Sequence, residues 1–377
     1  MRYFDYAATT PMSERALTAY QEAARNYYGN TSSLHDIGSS AQEILEKCRA
    51  VLASFLQAEA EGVYFTSGGS EANALVIQSV VYARKQQGRH LITTEVEHAS
   101  VRNVFRMLER EGFDVTYVKP DFEGKIQVED IKEALQDDTI FASIQHVNSE
   151  IGTIQDLQAI GSILRENNVF FHSDCVQSFG KLPIDVKEMN VDAVSLSGHK
   201  IYGPKGVGAC YINPAHKWVS LIPGTTHEKG FKPGTVDVPG IASFVTASEE
   251  IVEEMEEEAR RMNRLRERFL TFLKEAVSEV VVEGSYEHQL PHICGLRIHG
   301  IEGQYVMLEC NKRGAAVSTG SACSIGKTTP SQTMTATGKS KQEAKELFRI
   351  SFGRQTTDAD VDFLVSALLG TIRQYTA

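Results

Sequence analysis

Apolar positions between about residues 40 and 192 follow two alternating periods. SSAQEILEKCRAVLASFLQ and SEANALVIQSVVYARKQ repeat apolar residues at helical spacing, and serines or a glycine turn stand at their starts. Short apolar runs that end in glycine or polar residues, such as GVYFTSG and DAVSLSGHK, are typical of buried strands. Further strand-like runs are HLITTEVEH, DVTYVKP, TIFASIQHV and VFFHSDCV, and further helical segments are VEDIKEALQ and LQAIGSILREN. This alternation predicts an α/β domain with a mostly parallel sheet, whose ligands lie at the carboxyl ends of the strands.

The pattern changes near Ala247. The segment ASEEIVEEMEEEARRMNRLRERFLTFLKEAV has one long, highly charged helical period, which we interpret as a solvated helix linking two domains. The strand-like segments VVVEG, ICGLRIHG and FRISFGR follow it among helices. They predict a smaller α+β domain that is completed by the N-terminal arm. We place the large domain at 12–250 and the small domain at 1–11 and 251–377.

The net charge of −11 over 377 residues argues against a general nucleic-acid-binding protein, because such proteins carry a basic surface. No apolar run is long enough to span a bilayer. The N-terminal stretch MRYFDYAATTP lacks a basic region followed by an apolar one, so we expect no signal peptide. We therefore expect a cytoplasmic protein that contacts neither nucleic acid nor membrane directly.

Lys200 follows an apolar run in VSLSGHKIYGPKGVG, where a lysine is costly to bury without a partner. A neutral lysine amine attacks carbonyl groups, and its commonest enzymatic use is a Schiff base, often with pyridoxal phosphate (PLP). An isolated lysine after a strand is more often a surface residue. The PLP hypothesis therefore depends on whether the other groups that the cofactor needs are present.

Candidates for those groups occur at other predicted strand ends. Asp174 could pair with the pyridine nitrogen, Gln177 with the ring hydroxyl, and His98 could stack on the ring or shuttle protons. In FTSGGSEAN, the Gly69 amide and Ser70 open a helix, where free amides favour a phosphate. Alone, a histidine such as His98 is more often structural, and Asp174 could be a helix cap. Together, at the strand ends of one parallel sheet, they indicate a PLP site.

Nine motifs carry a resemblance that covers essentially the whole chain. They are FDYAATTP, GNTSSLHDIG, FTSGGSEAN, EHASV, NSEIGTIQ, HSDCVQSFGK, SLSGHKIYGPKGVG, STGSACS and FRISFGRQTT. In them the chain resembles the NifS/IscS-like cysteine desulfurases, within the class-V aminotransferase family of fold-type I PLP enzymes. The resemblance implies a seven-stranded, mostly parallel sheet in the large domain and a Schiff base on Lys200. It also implies phosphate contacts from Ser197 and His199, and it places Asn148 near the ring and the substrate.

Cys323 lies in VSTGSACSIGKTTPSQTMTATG, whose composition predicts a flexible loop in the small domain. Composition alone would favour an incidental exposed cysteine. The resemblance instead implies a nucleophile that takes sulfur from PLP-bound L-cysteine, leaves L-alanine, and carries a persulfide to an acceptor protein. The attacking species is a thiolate, so we expect a nearby acid–base group such as His98 to assist. The six cysteines form no C-x-x-C pair, and we expect most of the others to be buried.

The substrate carboxylate calls for an arginine, and FRISFGRQTT offers Arg349 and Arg354. The family pattern favours Arg349. It also implies that Thr235 reaches the PLP phosphate of the neighbouring subunit, and hence a homodimer. PGTTHEKGFKPGTVDVPG departs from the family pattern, notably at His227, which suggests a divergent branch dedicated to one acceptor.

Two alternatives to a desulfurase remain at this point. One is another PLP reaction, such as transamination or selenocysteine lysis, because the same cofactor residues would serve it. The other is a catalytically silent scaffold in sulfur or iron–sulfur assembly. The sulfur acceptor stays open between an iron–sulfur scaffold, a thiolation enzyme and a single client apoprotein.

Overall fold

A computed structural model describes residues 1–277, 279–320 and 330–376. Its strands are β1 Arg2–Tyr3, β2 Val63–Thr66, β3 His90–Thr94, β4 Asp114–Val118, β5 Thr139–Ser143, β6 Phe170–Asp174, β7 Ala193–Ser197, β8 Gly208–Ile212, β9 Val280–Val282, β10 Ile293–Ile298, β11 Ala315–Ala316 and β12 Phe348–Ser351. Its helices are α1 Glu14–Asn26, α2 Asp36–Ser54, α3 Gly69–Arg84, α4 Ala99–Arg110, α5 Val128–Ala134, α6 Leu157–Glu166, α7 Val238–Glu253, α8 Met255–Ala276, α9 Gly303–Lys312, α10 Gln332–Ala336, α11 Lys341–Glu346 and α12 Asp358–Thr376. In these ranges, no helix has the long apolar surface that crossing a bilayer requires.

Seven strands form one sheet in the order β2-β8-β7-β6-β5-β3-β4. All of them run parallel except β8, which is antiparallel to both of its neighbours. The predicted α/β class with a mostly parallel seven-stranded sheet is therefore confirmed. β8 is not among the strands predicted from the sequence, because its run GACYI follows the glycine turn of the lysine motif without a helix between them.

Both faces of this sheet are buried. Successive side chains of each strand point to opposite faces of the sheet, as the period of two requires. Phe65 and Leu196 pack in the apolar core on one face, and Tyr64 and Phe141 in the core on the other face. Helices cover both faces, as is usual for parallel sheets. Polar side chains at the ends of the strands can therefore reach a ligand, whereas those in the middle cannot.

A second apolar cluster lies around the antiparallel sheet β12-β10-β9. α8, α9 and α12 contribute to this cluster, and so does Phe4 of the N-terminal arm, which is fully buried. β1 pairs in parallel with β11, so the arm joins this part of the chain as expected. The domain boundaries at residues 11 and 251 stay a prediction.

Two details differ from the sequence expectation. The charged helical segment is two helices, α7 and α8, with Glu254 between them, and it is not only a solvated link. One face of α8, including Met262, Leu265 and Phe269, is buried in the second cluster, because its apolar residues recur at helical spacing among the charges. In the expected cysteine loop, Gln332–Ala336 forms the short helix α10, while Cys323 lies outside the described residues.

Replacing Phe4 by alanine should lower the free energy of unfolding by about 3–5 kcal/mol, since a fully buried ring is removed from the second cluster. Urea titration monitored by circular dichroism would measure this loss. Phe122→Ala is the matched control, because the Phe122 ring is 72% exposed and its removal leaves no cavity. Equal effects of the two substitutions would contradict the buried position of the arm.

We expect the protein to lose stability in mild acid because of the buried His172. Its ring bridges β5 and β7 through Ser143 Oγ and Ser195 Oγ, each at 2.9 Å, and burial lowers its pKa to about 3. This stabilisation is complete above the unfolded pKa of about 6.5 and declines as the pH falls toward the folded pKa. Between about pH 7 and pH 5, His172→Asn should lose roughly 2 kcal/mol less stability than the wild type. Parallel losses in the two proteins, measured by urea titration at each pH, would contradict this.

Candidate active site

A cavity of about 480 Å³ lies at the carboxyl ends of β6 and β7. Residues 7–9 of the N-terminal arm and the side chain of Arg349 on β12 form other parts of its wall. Nine of the twelve predicted site residues line this cavity. They are Gly69, Ser70, His98, Asp174, Gln177, Ser197, His199, Lys200 and Arg349.

Lys200 reaches the cavity because the chain makes a single turn of 3₁₀ helix, Gly198–Lys200, directly after β7. Its Nζ donates hydrogen bonds to the carbonyl oxygens of Ala7 at 2.6 Å and Ala8 at 2.9 Å. The half-buried amine is thus held against the cavity wall by backbone carbonyls of the N-terminal arm.

Asp174 is the last residue of β6 and is 7% exposed. Its Oδ1 accepts a hydrogen bond from the Val176 amide at 3.0 Å, and its Oδ2 accepts one from Asn73 Nδ2 at 2.7 Å. Asn73 Nδ2 also donates to Ser100 Oγ at 2.9 Å, and Ser100 Oγ lies 2.8 Å from His98 Nδ1. Asn73, in FTSGGSEAN, was not among the predicted residues, yet it joins the aspartate to the histidine.

His98 is the N-cap residue of α4, and its Nδ1 accepts the Ser100 backbone N–H at 3.2 Å. This contact explains why the sequence places a histidine immediately before a helix. Burial, together with the charge of Lys200, lowers the pKa of His98, although Asp174 opposes the shift. Because Nδ1 accepts, the neutral ring carries its hydrogen on Nε2.

Glu97 lies beside His98 in the chain and was not predicted from the sequence. Its Oε1 accepts hydrogen bonds from Thr94 Oγ1 at 2.7 Å and from the Gln145 amide at 2.9 Å. Its Oε2 is buried and has no hydrogen-bond partner among the described residues. Burial raises the pKa of Glu97 to about 8, so the group is mainly protonated at neutral pH.

The opposite end of the cavity suits an anion. α3 begins at Gly69 after an N-cap glycine with φ of 145°, and no side chain caps its first amides. A Cβ on Gly69 would lie 2.5 Å from Val176 Cγ2, so only glycine allows this close approach. Ser197 and His199 also line this cavity, and burial lowers the pKa of His199 to about 4. Free amides at the positive end of a helix dipole favour a phosphate.

Gln177 provides the test of whether the cavity suits PLP. Its Nε2 donates to the Ala7 carbonyl at 2.9 Å, and its buried Oε1 has no partner in the described part of the chain. An unused acceptor at this point can receive the hydrogen of a ligand hydroxyl. With Asp174, the α3 amides and Lys200, the donor set fits PLP.

Arg349 is buried on β12 and 2% exposed. One terminal nitrogen donates to the Ser149 carbonyl at 2.7 Å, and the other forms an ion pair with Asp5 at 2.7 Å. Arg354, the weaker candidate, instead pairs with Glu250 at 2.6 Å and Glu254 at 2.8 Å. These contacts agree with a structural role for Arg354.

Three predicted residues do not line the cavity. Asn148 lies between two lining residues, but its Nδ2 donates to the Val96 carbonyl and Thr333 Oγ1, and its Oδ1 accepts from two backbone amides. Thr235 is exposed and away from the cavity, so its contact across a dimer stays a prediction. Cys323 is outside the described residues.

The segment that departs from the family pattern is anchored by a buried ion pair. Glu228 has φ of 46° and accepts hydrogen bonds from both terminal nitrogens of Arg49 at 2.9 and 3.0 Å. It also accepts the Phe65 amide of β2 at 2.7 Å. β2 leads directly into the glycine turn before α3, so this pair supports the anion end of the cavity. Arg49, inside an apolar helix face, was not identified from the sequence.

The sequence model of the family described as "Aminotransferase class-V" matches residues 2–364. The chain belongs to the class-V aminotransferase family. This class-V protein is 49% identical over 367 residues to the putative cysteine desulfurase NifS of Bacillus subtilis (strain 168), covering 97% of this chain and 93% of that protein. It is 38% identical over 374 residues to the cysteine desulfurase IscS of Clostridium botulinum (strain Kyoto / Type A2), covering 99% and 94% respectively.

Solved structures show the same relationship. A NifS-like protein superposes with a TM-score of 0.93 at 31% identity, covering 99% of this class-V chain and 100% of that chain. A structure titled "SspA in complex with cysteine" superposes with a TM-score of 0.83 at 35% identity, covering 93% and 99%. The expected resemblance to the NifS/IscS-like group of the class-V family is thereby confirmed.

Glu228→Gln should lower the free energy of unfolding by about 3–5 kcal/mol, because the Arg49 guanidinium would stay buried without its counter-charge. Urea titration would measure the loss. The double variant Arg49→Met with Glu228→Leu should recover much of it, since neither charge then remains buried. Glu43→Gln, which breaks an exposed pair with Lys47, is the control and should have little effect. A Glu228→Gln protein as stable as the wild type would contradict this role.

Proposed function

We propose that the protein is a PLP-dependent cysteine desulfurase, which converts L-cysteine to L-alanine and passes the sulfur onward as a persulfide on Cys323. The observation that carries the proposal is the convergence of nine predicted residues on one cavity whose donor set fits PLP. Membership in the class-V family supports it, as do relatives named as cysteine desulfurases and a structural neighbour in complex with cysteine.

In this proposal PLP occupies the cavity at the carboxyl ends of β6 and β7. Lys200 binds it covalently, Asp174 holds the pyridine nitrogen, and Gln177 receives the ring hydroxyl. The phosphate contacts are Gly69, Ser70, Ser197, His199 and, from the neighbouring subunit, Thr235. When bound, PLP supplies an electron sink that weakens the bonds at the substrate's α-carbon.

The chain's own residues orient the substrate and move protons. Arg349 receives the substrate carboxylate, and Asn148 supports the substrate side of the site. His98 holds a hydrogen at Nε2, and burial lowers its pKa so that the ring is neutral; in this proposal the neutral ring passes protons at Nε2. Asn73 and Ser100 fix the other edge of this ring through Nδ1. The histidine therefore keeps one orientation while it exchanges protons.

The sulfur step needs an accessible thiolate. The five described cysteines are all buried, and burial raises the pKa of each thiol, for example to about 12 for Cys48 and about 11 for Cys294. They are poor nucleophiles at neutral pH. Cys323 is the remaining cysteine of the chain. The Cys323 sulfur bonds to the substrate sulfur, and the Cβ–S bond of the substrate breaks. The electron pair of that bond stays on the substrate carbon, and a proton completes L-alanine.

The persulfide then passes to an acceptor protein, either an iron–sulfur scaffold, a thiolation enzyme or one client apoprotein. The class-V chain works as a homodimer in this proposal, because Thr235 serves the neighbouring subunit. The departures around His227 favour one dedicated acceptor. The cytoplasmic location expected from the sequence stays a prediction.

Cys323→Ala should lower L-alanine formation from L-cysteine by roughly a thousandfold, because the nucleophile is lost while the cofactor site is intact. Alanine is measured by chromatography and the cofactor by its visible absorbance. In the wild type, mass spectrometry of the L-cysteine-treated protein should find a mass increase of one sulfur on the peptide that contains Cys323.

Cys48→Ala is the matched control and should retain wild-type turnover, since that thiol is buried and protonated. A Cys323→Ala enzyme that still releases sulfide and alanine at the wild-type rate would refute the persulfide step. A wild-type protein that neither absorbs as a PLP enzyme nor consumes L-cysteine would favour the silent scaffold.

A further inference from the structure

The N-terminal arm contacts both ends of the active-site cavity within five residues. Asp5 pairs with Arg349, the carbonyls of Ala7 and Ala8 accept from Lys200 Nζ, and Thr9 Oγ1 lies 3.2 Å from His199 Nδ1. The arm therefore does more than complete a small sheet.

The Arg349 guanidinium is held at two of its three nitrogens. The Ser149 carbonyl takes one terminal nitrogen and Asp5 Oδ1 takes the other, each at 2.7 Å. The third nitrogen, Nε, is buried and has no hydrogen-bond partner among the described residues. Because the guanidinium also lines the wall of the 480 Å³ cavity, its positive charge favours an anionic ligand there.

Asp5 is itself fixed by backbone contacts to the strand that carries Arg349. It forms a parallel bridge with Ser351, whose amide donates to the Phe4 carbonyl at 2.8 Å. The ring of Phe4 is fully buried, and the Tyr3 hydroxyl donates to the Asp5 carbonyl at 2.9 Å. These contacts hold the backbone of Asp5 beside β12, within reach of the Arg349 guanidinium.

Glu150 is the other carboxyl group near Arg349, and among the described residues it forms no ion pair with this arginine. Glu150 is buried, its pKa is raised by that burial, and its carboxyl accepts a hydrogen bond from Ser331 Oγ. Within the described ranges, Asp5 is the carboxylate in ion-pair contact with Arg349.

We propose that Asp5 is a positioning residue for substrate recognition. Its hydrogen bond holds the Arg349 guanidinium in one orientation at the cavity wall, where the arginine would receive the substrate carboxylate. The inference rests on the proposed function, because it assigns the substrate carboxylate to Arg349. It makes the first residues of the chain part of the specificity for α-carboxylate substrates.

The test compares Asp5→Ala with Asp5→Asn. Asp5→Ala removes the acceptor, so the KM for L-cysteine should rise about tenfold or more while kcat changes less than about threefold, since the lost interaction serves substrate binding. Asp5→Asn keeps an oxygen acceptor at the same position, and its KM should stay within about threefold of the wild type. An Asp5→Ala enzyme with an unchanged KM, or an Asp5→Asn enzyme as impaired as Asp5→Ala, would overturn the proposal.

Two controls separate positioning from a purely structural effect. In an Arg349→Ala background, Asp5→Ala should cause no further rise in KM, because the two residues act through one contact. With L-cysteine methyl ester, which lacks the carboxylate charge, Asp5→Ala should leave KM within about twofold of the wild type. Equal losses with acid and ester, or full additivity with Arg349→Ala, would overturn the assignment.

A readout that does not depend on turnover is the binding of L-alanine, measured by calorimetry, which Asp5→Ala should weaken by the same factor as KM. Thermal unfolding of each variant establishes that it is folded. Failure of the proposed function would show differently, as a wild-type protein that neither forms alanine from L-cysteine nor binds L-alanine.

Discussion

Burial of the seven-stranded sheet on both faces is the constraint on which the rest of the structure depends. Apolar side chains of alternate strand residues pack above and below it, so a polar group in mid-strand must find its partners within the sheet. His172 does so by bridging two serines. Groups that can contact a ligand therefore lie at the strand ends: Asp174 is the last residue of β6, and Lys200 lies in the turn after β7.

The sheet supplies only part of the site. The arginine that faces the cavity stands on β12, in the second apolar cluster, and the N-terminal arm that contacts it is pinned to that cluster by Phe4. The same arm then reaches Lys200 and His199 at the end of β7. The arm therefore contacts both Arg349 and Lys200, two residues that line the cavity from different parts of the chain.

Burial also decides the charge states in and around the cavity. The ring of His98 is kept neutral, Glu97 is kept protonated beside it, and the described thiols are kept out of their reactive form. Each shift has the same cause, the cost of a charge in a low-dielectric surrounding. In contrast, the buried charges of Arg49 and Glu228 persist because each neutralises the other at hydrogen-bond distance.

Local patterns in the sequence determined the alternation of helices and strands, the mostly parallel sheet and six of the nine predicted residues that line the cavity, because strand ends, glycine turns and helix starts are encoded over a few neighbours. The other three, Ser197, His199 and Arg349, were expected from the resemblance to the family. β8 was missed because no helix separates it from the lysine turn, and the buried face of α8 was masked by its many charges. Only the tertiary structure decided the contacts between distant segments: Asp5 with Arg349, Arg49 with Glu228, and Asn73 between Asp174 and Ser100. These pairs are separated by 27 to 344 positions in the chain, so no local pattern could join them, and only the packing of distant segments in the folded chain brings them together.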